Sequence, residues 1–139
     1  MRYYLDTNIL FFILQNEQDN VHFEIKSILD DYANTLFVSS VVVQEMVLLF
    51  RIGKLDTKSP YKTEQSIINA IDNLGIKTVL FNEKHLSEYL QLSISNNHKD
   101  MNDHAIISQA ISDKIPLISS DREFEHYISQ GLKFIFNKR

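Results

Sequence analysis

The sequence predicts an α/β fold, with a mainly parallel central sheet of about five strands and helices on both of its faces. Short apolar runs that suit buried strands alternate with longer stretches in which apolar residues recur at helical spacing. The first run, Tyr3 to Leu5, ends on Asp6 and leads directly into a helical pattern. Open α/β sheets place functional side chains at the carboxyl ends of such strands. Right-handed crossovers are therefore expected between parallel neighbours.

The first half of the chain is predicted to form two strands and three helices. Thr7 or Asn8 is expected to cap the first helix, and Ser39 or Ser40 the third. The third helix is apolar over much of its circumference, so it is expected to lie centrally. In chain order, the elements are a strand over 3–5, a helix through Ile9 and Ile13, a helix over 21–33, a strand over 36–38 and a helix over 41–53.

The second half repeats the alternation of strands and helices. Gly75 suits the end of a helix, and Asn102 or Asp103 is expected to open the last long one. A polar, basic connection over 51–62 is interpreted as a solvated loop in preference to a phosphate-binding rim. The elements are helices over 64–74 and 83–94 with a strand over 76–81 between them, a helix from 102 through Ile111, a strand over 116–119, a short helix over 122–128 and a strand over 134–136.

The composition is that of one globular domain over 1–139. Of the 139 residues, 44% are hydrophobic and 23% are charged, and three Gly and two Pro leave little material for linkers. The chain has no Cys, which removes thiolate chemistry and fits a cytoplasmic protein. It has neither a long apolar stretch nor a basic leader pattern, so neither a membrane span nor a secretory leader is expected.

The net charge of −4 comes from 14 Lys and Arg against 18 Asp and Glu. Nucleic-acid binders usually carry a basic balance, so the composition argues weakly against that class. If four of the acids share a metal site, however, the remaining acids number 14 and balance the bases. A polyanionic substrate is therefore compatible with the composition.

Four acids occupy comparable positions in the predicted fold. Asp6 ends the first strand, Asp121 follows a later strand by two residues, Asp103 opens a helix, and Glu45 lies one turn into the long apolar helix. Strand ends and helix N-termini share one edge of a parallel sheet, so all four can meet there. Carboxylates about 4 Å apart repel by roughly 4 kcal/mol per pair at an effective dielectric constant near 20. Such a cluster must take up protons or bind cations, and Mg²⁺ or Mn²⁺ suits oxygen ligands of this kind.

A divalent cation in such a cluster would activate a water and stabilise charge on a phosphoryl oxygen, which indicates phosphodiester hydrolysis. Each acid also has a simpler interpretation. Asp6 and Asp103 can be plain helix caps, and Asp121 can start a turn. Glu45 lies among apolar neighbours such as Val42 and Met46, so its burial would be unfavourable unless it had a partner. The prediction rests on the four acids together.

The chain resembles the PIN domain family, in particular the VapC-type toxins of bacterial toxin–antitoxin pairs. The resemblance covers nearly the whole length, and the order and spacing of its short motifs carry it. The matching segments are Leu5-Asp6-Thr7-Asn8, Ser39-Ser40-Val41-Val42-Val43-Gln44-Glu45, His98-Lys99-Asp100-Met101-Asn102-Asp103 leading into Ile106-Ile107-Ser108-Gln109-Ala110, and Leu117-Ile118-Ser119-Ser120-Asp121.

The resemblance implies a divalent-metal-dependent ribonuclease, a hydrolase that acts as the toxin of a type II toxin–antitoxin pair. Implied with it are an RNA substrate, a cognate antitoxin protein, a homodimer, a cytoplasmic location and Mg²⁺ or Mn²⁺ as the cofactor. The family's catalytic and metal-binding acids fall on Asp6, Glu45, Asp103 and Asp121. Its supporting positions fall on Asn8, Ser119 and Asp100.

The departures from the family pattern concern substrate handling. The branch that carries Asp100 usually has Pro-Phe between its paired aspartates and Arg after the second, where this chain has Met101, Asn102 and His104. Losing that Arg removes a fixed fork of phosphate donors. Lys99 and Arg122 flank Asp100 and Asp121, respectively, and are the candidate phosphate contacts.

His98 and His104 can serve as metal ligands or proton carriers, but the acids already suffice for a hard cation. His98 and His104 are expected to support the site from behind the ligands or to lie at the surface. The remaining three are expected to be surface residues: His22, His85 and His126.

Two other classes of function remain open at this point. The first is a catalytically inactive PIN-fold module that binds RNA or protein, with the acidic cluster serving structure only. The second is another α/β protein with an acidic pocket, such as a phosphotransfer receiver or a phosphatase. Against the second, Asp6 is followed by Thr7 and Asn8 instead of a second acid.

Overall fold

The computed structural model describes residues 1–55 and 60–138 and contains a five-stranded sheet in which all neighbouring strands are parallel. The strand order is β3-β2-β1-β4-β5, so β1 lies at the centre. β2 and β3 extend the sheet on one side of β1, and β4 and β5 extend it on the other side. The strands are β1 (Arg2–Leu5), β2 (Thr35–Ser39), β3 (Lys77–Val79), β4 (Leu117–Ser119) and β5 (Phe134–Phe136).

The helices connect these strands and cover both faces of the sheet, because right-handed crossovers place the connections on the two sides of β1 on opposite faces. Helices α5 and α6 pack closely against each other. The α-helices are α1 (Thr7–Leu14), α2 (Phe23–Asp30), α3 (Ser40–Arg51), α4 (Glu64–Asn73), α5 (Glu83–Gln91) and α6 (Met101–Asp113), and 3₁₀ helices span Gln18–Asn20 and Arg122–Gln130. The predicted α/β fold with a parallel sheet of about five strands is confirmed.

The register of the central strands brings two functional positions together. Leu5 of β1 pairs with Ile118 of β4, and the Asp6 amide donates a hydrogen bond to the Ile118 carbonyl at 2.9 Å. Asp6 therefore lies beside Ser119 at the carboxyl ends of neighbouring strands. Leu5 and Ile118 are fully buried, so a shift of register would move apolar side chains out of the core.

Ser39 caps α3 as predicted, whereas the caps of α1 and α6 differ from the residues expected to open them. Asp6 caps α1 by accepting from the Thr7 amide, so neither Thr7 nor Asn8 is the cap. Asp100 caps α6 by accepting from the Asp103 amide, so the helix begins before Asn102 and Asp103. A carboxylate accepts from free amides at a helix start, and more than one polar residue near each start could have filled that role. Asp103 is left with its side chain available for other contacts.

Helix α3 is less central than its composition predicts. Only Val42 and Met46 are fully buried among its residues, and the Leu48 side chain is 54% exposed. The helix rests on the sheet along one stripe and leaves apolar residues on its outer side. In the basic connection predicted after this helix, residues 56–59 lie outside the described residues.

The described segments contain no helix that is both long enough and apolar enough to span a membrane.

A buried polar network ties α6 to the central strand. The Tyr4 hydroxyl donates to Asp113 Oδ2 at 2.6 Å, and His85 Nε2 lies 3.0 Å from both Asp113 oxygens. His85 is 1% exposed, so the surface position predicted for it is wrong. Its Nδ1 accepts a hydrogen bond from the Asn82 amide at the start of α5, so both ring nitrogens have partners inside the protein. The network joins β1, α5 and α6, and thereby fixes the helix that carries Asp103 against the strand that leads to Asp6.

Replacing Asp113 by Ala is expected to destabilise the protein by about 2–4 kcal/mol, because it removes the acceptor of a buried hydroxyl and a buried imidazole. Urea denaturation at pH 7 measures the change. The matched control is Asp72→Ala, which removes an exposed acid on α4 and should leave the free energy of unfolding within about 0.5 kcal/mol of wild type. Equal stability of the two variants would contradict the role given to the network.

Candidate active site

The four predicted acids line one cavity at the carboxyl edge of the sheet. Its volume is about 390 Å³. Each acid comes from a different part of the fold: the end of β1, helix α3, helix α6 and the segment after β4. The lining residues are Asp6, Thr7, Asn8, Phe11, Phe12, Glu45, Leu49, Asp103 and Asp121. The structure thus brings together residues separated by more than 100 positions in the chain.

Asp6 lies at the bottom of the cavity and is 4% exposed. Its Oδ2 accepts from the Ser119 hydroxyl at 2.6 Å and from Asn8 Nδ2 at 3.1 Å, while Oδ1 accepts from the Thr7 amide at 2.8 Å. The carboxylate is therefore held in one orientation from both sides. The simple interpretation of Asp6 as a cap is also correct, since the same side chain starts α1.

Ser119 and Asn8 form the polar frame of the site. The Ser119 hydroxyl donates to Asp6 and accepts from Asn8 Nδ2 at 3.2 Å and from the Asp121 amide at 3.0 Å. Asn8 Oδ1 accepts from the Ser120 amide at 3.1 Å. The end of β1 and the end of β4 are thereby joined, which sets the position of Asp121 relative to Asp6.

Asp121 and Glu45 are oriented by hydrogen bonds of their own. Asp121 Oδ1 accepts from the Glu123 amide at 2.9 Å and so starts the 3₁₀ helix. Glu45 Oε1 accepts from the Thr7 hydroxyl at 2.9 Å. Neither carboxylate belongs to an ion pair among the described residues that would neutralise it.

Asp103 lies in the first turn of α6, with its side chain 18% exposed. Its Oδ2 lies 2.9 Å from Nε2 of His98, and its backbone amide donates a hydrogen bond to Asp100 Oδ1. Asp100 itself is exposed at the start of the helix. Asp100 therefore caps the helix, whereas the Asp103 side chain faces the cavity.

The electrostatics of the site disfavour four ionised acids. Burial, together with the charges of Asp103 and Glu45, raises the pKa of Asp6 to about 7. Burial and the charges of Asp100, Glu45 and Asp121 raise the pKa of Asp103 to about 7 as well. Burial, and more weakly Asp100, also raises the pKa of Glu45. Protons or cations must therefore compensate this cluster near neutral pH.

The donors of the cavity fit a hard divalent cation. The cluster offers carboxylate oxygens, which Mg²⁺ and Mn²⁺ prefer, and the open side of the cavity leaves room for retained waters. An octahedral ion with bonds of about 2.1 Å needs neighbouring ligand atoms about 3 Å apart. His98 Nε2 and one oxygen each from Asp103 and Asp121 all lie within 4.8 Å of one another, so these three residues form a group that could hold one ion.

The predicted substrate contacts lie outside the cavity lining. Lys99 and Arg122 are exposed, and neither of them lines the cavity. Each is close to the site in sequence, as the neighbour of Asp100 or Asp121. The Arg122 guanidinium lies over the Phe136 ring, with 4.5 Å between Cζ and the ring centroid. This stacking holds the cation beside Asp121 without committing its N–H groups, so Arg122 remains a candidate for phosphate.

The structure places His98 beside Asp103, whereas the sequence left a supporting and a surface position open for it. It lies in the loop before α6, and its ring touches Asp103, Tyr127 and His104. His104 is buried beside Tyr127 and does not reach the acids through the contacts of its ring. The only signal in the sequence is that His98 lies five residues before Asp103, and a loop can place such a residue on either side of a helix start.

Comparison with family models places the chain in a known family. The model of the PIN domain matches residues 3–128, which covers all four acids. The chain belongs to the PIN domain family. Comparison of the sequence with curated proteins finds no significant match.

Solved structures share the fold of this PIN domain over almost their full length. One is the crystal structure of VapBC2 from Rickettsia felis bound to a DNA fragment of its promoter. Its matching chain is 21% identical with a TM-score of 0.67, and the match covers 99% of this chain and 100% of that chain. VapBC-1 from nontypeable Haemophilus influenzae is 21% identical with a TM-score of 0.63 and covers 98% of each chain. A toxin–antitoxin complex from Klebsiella pneumoniae is 15% identical with a TM-score of 0.62 and covers 96% of this chain and 95% of that chain. At these identities the likeness establishes the fold.

Replacing Ser119 by Ala is expected to raise the pKa of Asp6 further, because the hydroxyl hydrogen bond stabilises the charged carboxylate. The free energy of unfolding at pH 8 should fall by about 1–3 kcal/mol, since Asp6 and Asn8 lose a buried partner. Thermal denaturation at several pH values measures both effects. Ser129→Ala, an exposed change in the 3₁₀ helix, is the control, and an unchanged pH profile for Ser119→Ala would contradict the assignment.

Proposed function

We propose that this PIN domain is a divalent-metal-dependent ribonuclease that hydrolyses RNA phosphodiester bonds and serves as the toxin of a type II toxin–antitoxin pair. The proposal rests on one observation: four carboxylates from four separate elements line a single cavity, and two of them have a pKa near 7. An arrangement that is unfavourable without a cation is characteristic of a site built to bind one.

The roles of the residues follow from their positions. Asp6, Asp103 and Asp121 would hold Mg²⁺ or Mn²⁺, and Glu45 would ligate it or orient the attacking water. When bound, the cation activates water and stabilises charge on the phosphoryl oxygen. Burial raises the pKa of Glu45 and Thr7 positions its carboxylate, so it accepts a proton more readily than an ordinary Glu.

The supporting residues maintain this geometry. Asn8 and Ser119 would keep Asp6 in one orientation, so that binding a cation requires little rearrangement. Asp100 would act through its charge and through the start of α6. Lys99 and Arg122 would contact RNA phosphates at the rim of the cavity, in place of the Arg that is replaced by His104.

An antitoxin is the proposed protein partner. The Klebsiella relative is a toxin–antitoxin complex, and the other two named relatives are VapBC structures. In this chain one wall of the cavity is apolar, formed by Phe11, Phe12 and Leu49. An apolar wall beside four acids suits a peptide that carries both apolar and basic side chains. A homodimer and a cytoplasmic location complete the proposal.

An RNA-cleavage assay with the purified chain tests the function. We expect cleavage with Mn²⁺ or Mg²⁺ and none with EDTA, and Asp6→Asn should lower the rate at least about 100-fold. Asp30→Asn, which changes an exposed acid at the end of α2, is the control. Undiminished cleavage by Asp6→Asn would contradict the mechanism. Calorimetry separates the alternative of an inactive binding module, which predicts no heat of binding at millimolar Mn²⁺ or Mg²⁺.

A further inference from the structure

His98 lies against Asp103, at the edge of the acidic cluster. Its side chain is 9% exposed, although it lies in a loop, and its Nε2 points at Asp103 Oδ2 across 2.9 Å. The same nitrogen and one oxygen each of Asp103 and Asp121 lie within 4.8 Å of one another. A nitrogen donor therefore stands beside two of the four acids.

We propose that His98 is a direct ligand, through Nε2, of the cation held by Asp103 and Asp121, and that it gives the site a preference for Mn²⁺ over Mg²⁺. The inference rests on the proposed function, because it assumes that these acids bind a divalent cation. It adds to the acidic set a neutral donor that is softer than oxygen.

The distances fit ligation by both side chains. Neighbouring ligands of an octahedral ion with bonds of about 2.1 Å lie about 3 Å apart, which matches the 2.9 Å between His98 Nε2 and Asp103 Oδ2. A cation would thus replace the hydrogen bond between them without separating the two side chains. The ring is already packed against Phe124 and Tyr127, so little side-chain freedom would be lost on binding.

The far side of the ring has a partner that permits the necessary tautomer. Ligation through Nε2 requires the proton on Nδ1, which lies 3.1 Å from the Tyr127 hydroxyl oxygen. That hydroxyl is also 3.5 Å from the His98 carbonyl, to which it can donate. His104 Nε2 donates to the same carbonyl at 2.8 Å and fixes the loop. In the other tautomer Tyr127 donates to Nδ1 and Nε2 donates to Asp103, so the two states differ in proton positions alone.

The choice of cation follows from the donor. Both ions favour oxygen ligands, but Mg²⁺ keeps its waters, whereas Mn²⁺ is a transition-metal ion and accepts an imidazole nitrogen more readily than Mg²⁺ does. With His98 in the ligand set, Mn²⁺ should bind at least about tenfold more tightly than Mg²⁺. His98→Gln should weaken Mn²⁺ binding about tenfold or more and affect Mg²⁺ binding less.

Pulsed electron paramagnetic resonance of the Mn²⁺-loaded chain tests the ligation without an activity readout. We expect modulation from a directly bonded histidine nitrogen, which changes when the chain is made with ¹⁵N-labelled histidine. His98→Gln should abolish it, although the Gln amide can still donate to Asp103, so a residue that only positions Asp103 would be tolerated. His126→Gln, an exposed histidine elsewhere, should leave the signal unchanged. If His98→Gln fails to fold, His98→Asn and the labelled wild type supply the same test.

The outcomes separate the two levels of the proposal. Mn²⁺ bound to wild type with no histidine nitrogen in the spectrum would overturn the assignment of His98 and leave the proposed ribonuclease standing. A signal that persists in His98→Gln would also overturn it. Absence of Mn²⁺ binding to wild type at millimolar concentration, measured by calorimetry, would overturn the metal site itself and this inference with it.

Discussion

Replacing Asp103 by Asn is expected to lower RNA cleavage at least about 100-fold and, at the same time, to stabilise the metal-free protein. The loss of activity follows from removing a charged oxygen donor from the proposed metal site. The gain in stability follows from the raised pKa of Asp103, because an ionised carboxylate at this position is disfavoured by burial and by Asp100, Glu45 and Asp121. We expect the free energy of unfolding at pH 8, in EDTA, to rise by roughly 1–3 kcal/mol.

Urea denaturation in EDTA and a cleavage assay in Mn²⁺ measure the two effects on the same preparation. Asp72→Asn is the matched control, since it removes an exposed acid on α4 and should change neither quantity. Opposite changes in stability and activity would indicate that Asp103 is retained for function at a cost to stability. An Asp103→Asn variant that is both active and no more stable than wild type would contradict the proposed site.

The metal-free protein is expected to lose stability as the pH rises from about 4 to about 7. Asp6 and Asp103 have an ordinary pKa of 3.8 and a pKa of about 7 in the folded chain. Between these values the folded state binds more protons than the unfolded state, so the free energy of unfolding decreases with increasing pH. Each extra bound proton contributes about 1.4 kcal/mol per pH unit in this window. Above about pH 7 the contribution of these two acids should level off.

A divalent cation should cancel this loss. Binding to the ionised acids stabilises the folded state, by about 2.7 kcal/mol when the free ion reaches 100 times its dissociation constant. Mn²⁺ should therefore raise the melting temperature more at pH 8 than at pH 5, where Asp6 and Asp103 are protonated. Thermal denaturation with Mn²⁺ and with EDTA across this range measures both slopes.

The double variant Asp6→Asn, Asp103→Asn is the control for this prediction. It should make the fall in stability between pH 4 and 7 shallower and remove most of the stabilisation by Mn²⁺, because the two acids with a pKa of about 7 are gone. Wild-type and double-variant profiles with the same slope through the window in EDTA would contradict the raised pKa values.

Much of the fold could be predicted because its signals are local. Short apolar runs mark the strands, and β5 has the bounds that the sequence predicts. The positions of four acids at strand ends and helix starts predicted the cluster that lines the cavity, although their roles as ligands remain predictions, as does a single domain over 1–139. The caps were less predictable, since Asp6, Thr7 and Asn8 all suit a helix start and only the path of the chain selects one of them.

The sequence by itself determined the alternation of strands and helices and the presence of four acids at strand ends and helix starts. These follow from local periodicity and from residue types that a strand or helix imposes on its neighbours. The tertiary structure alone decided that His85 is buried against Asp113 and that His98 faces Asp103 and Asp121. Those positions depend on how two helices and a loop pack, and contacts between elements distant in the chain leave no periodic trace in it.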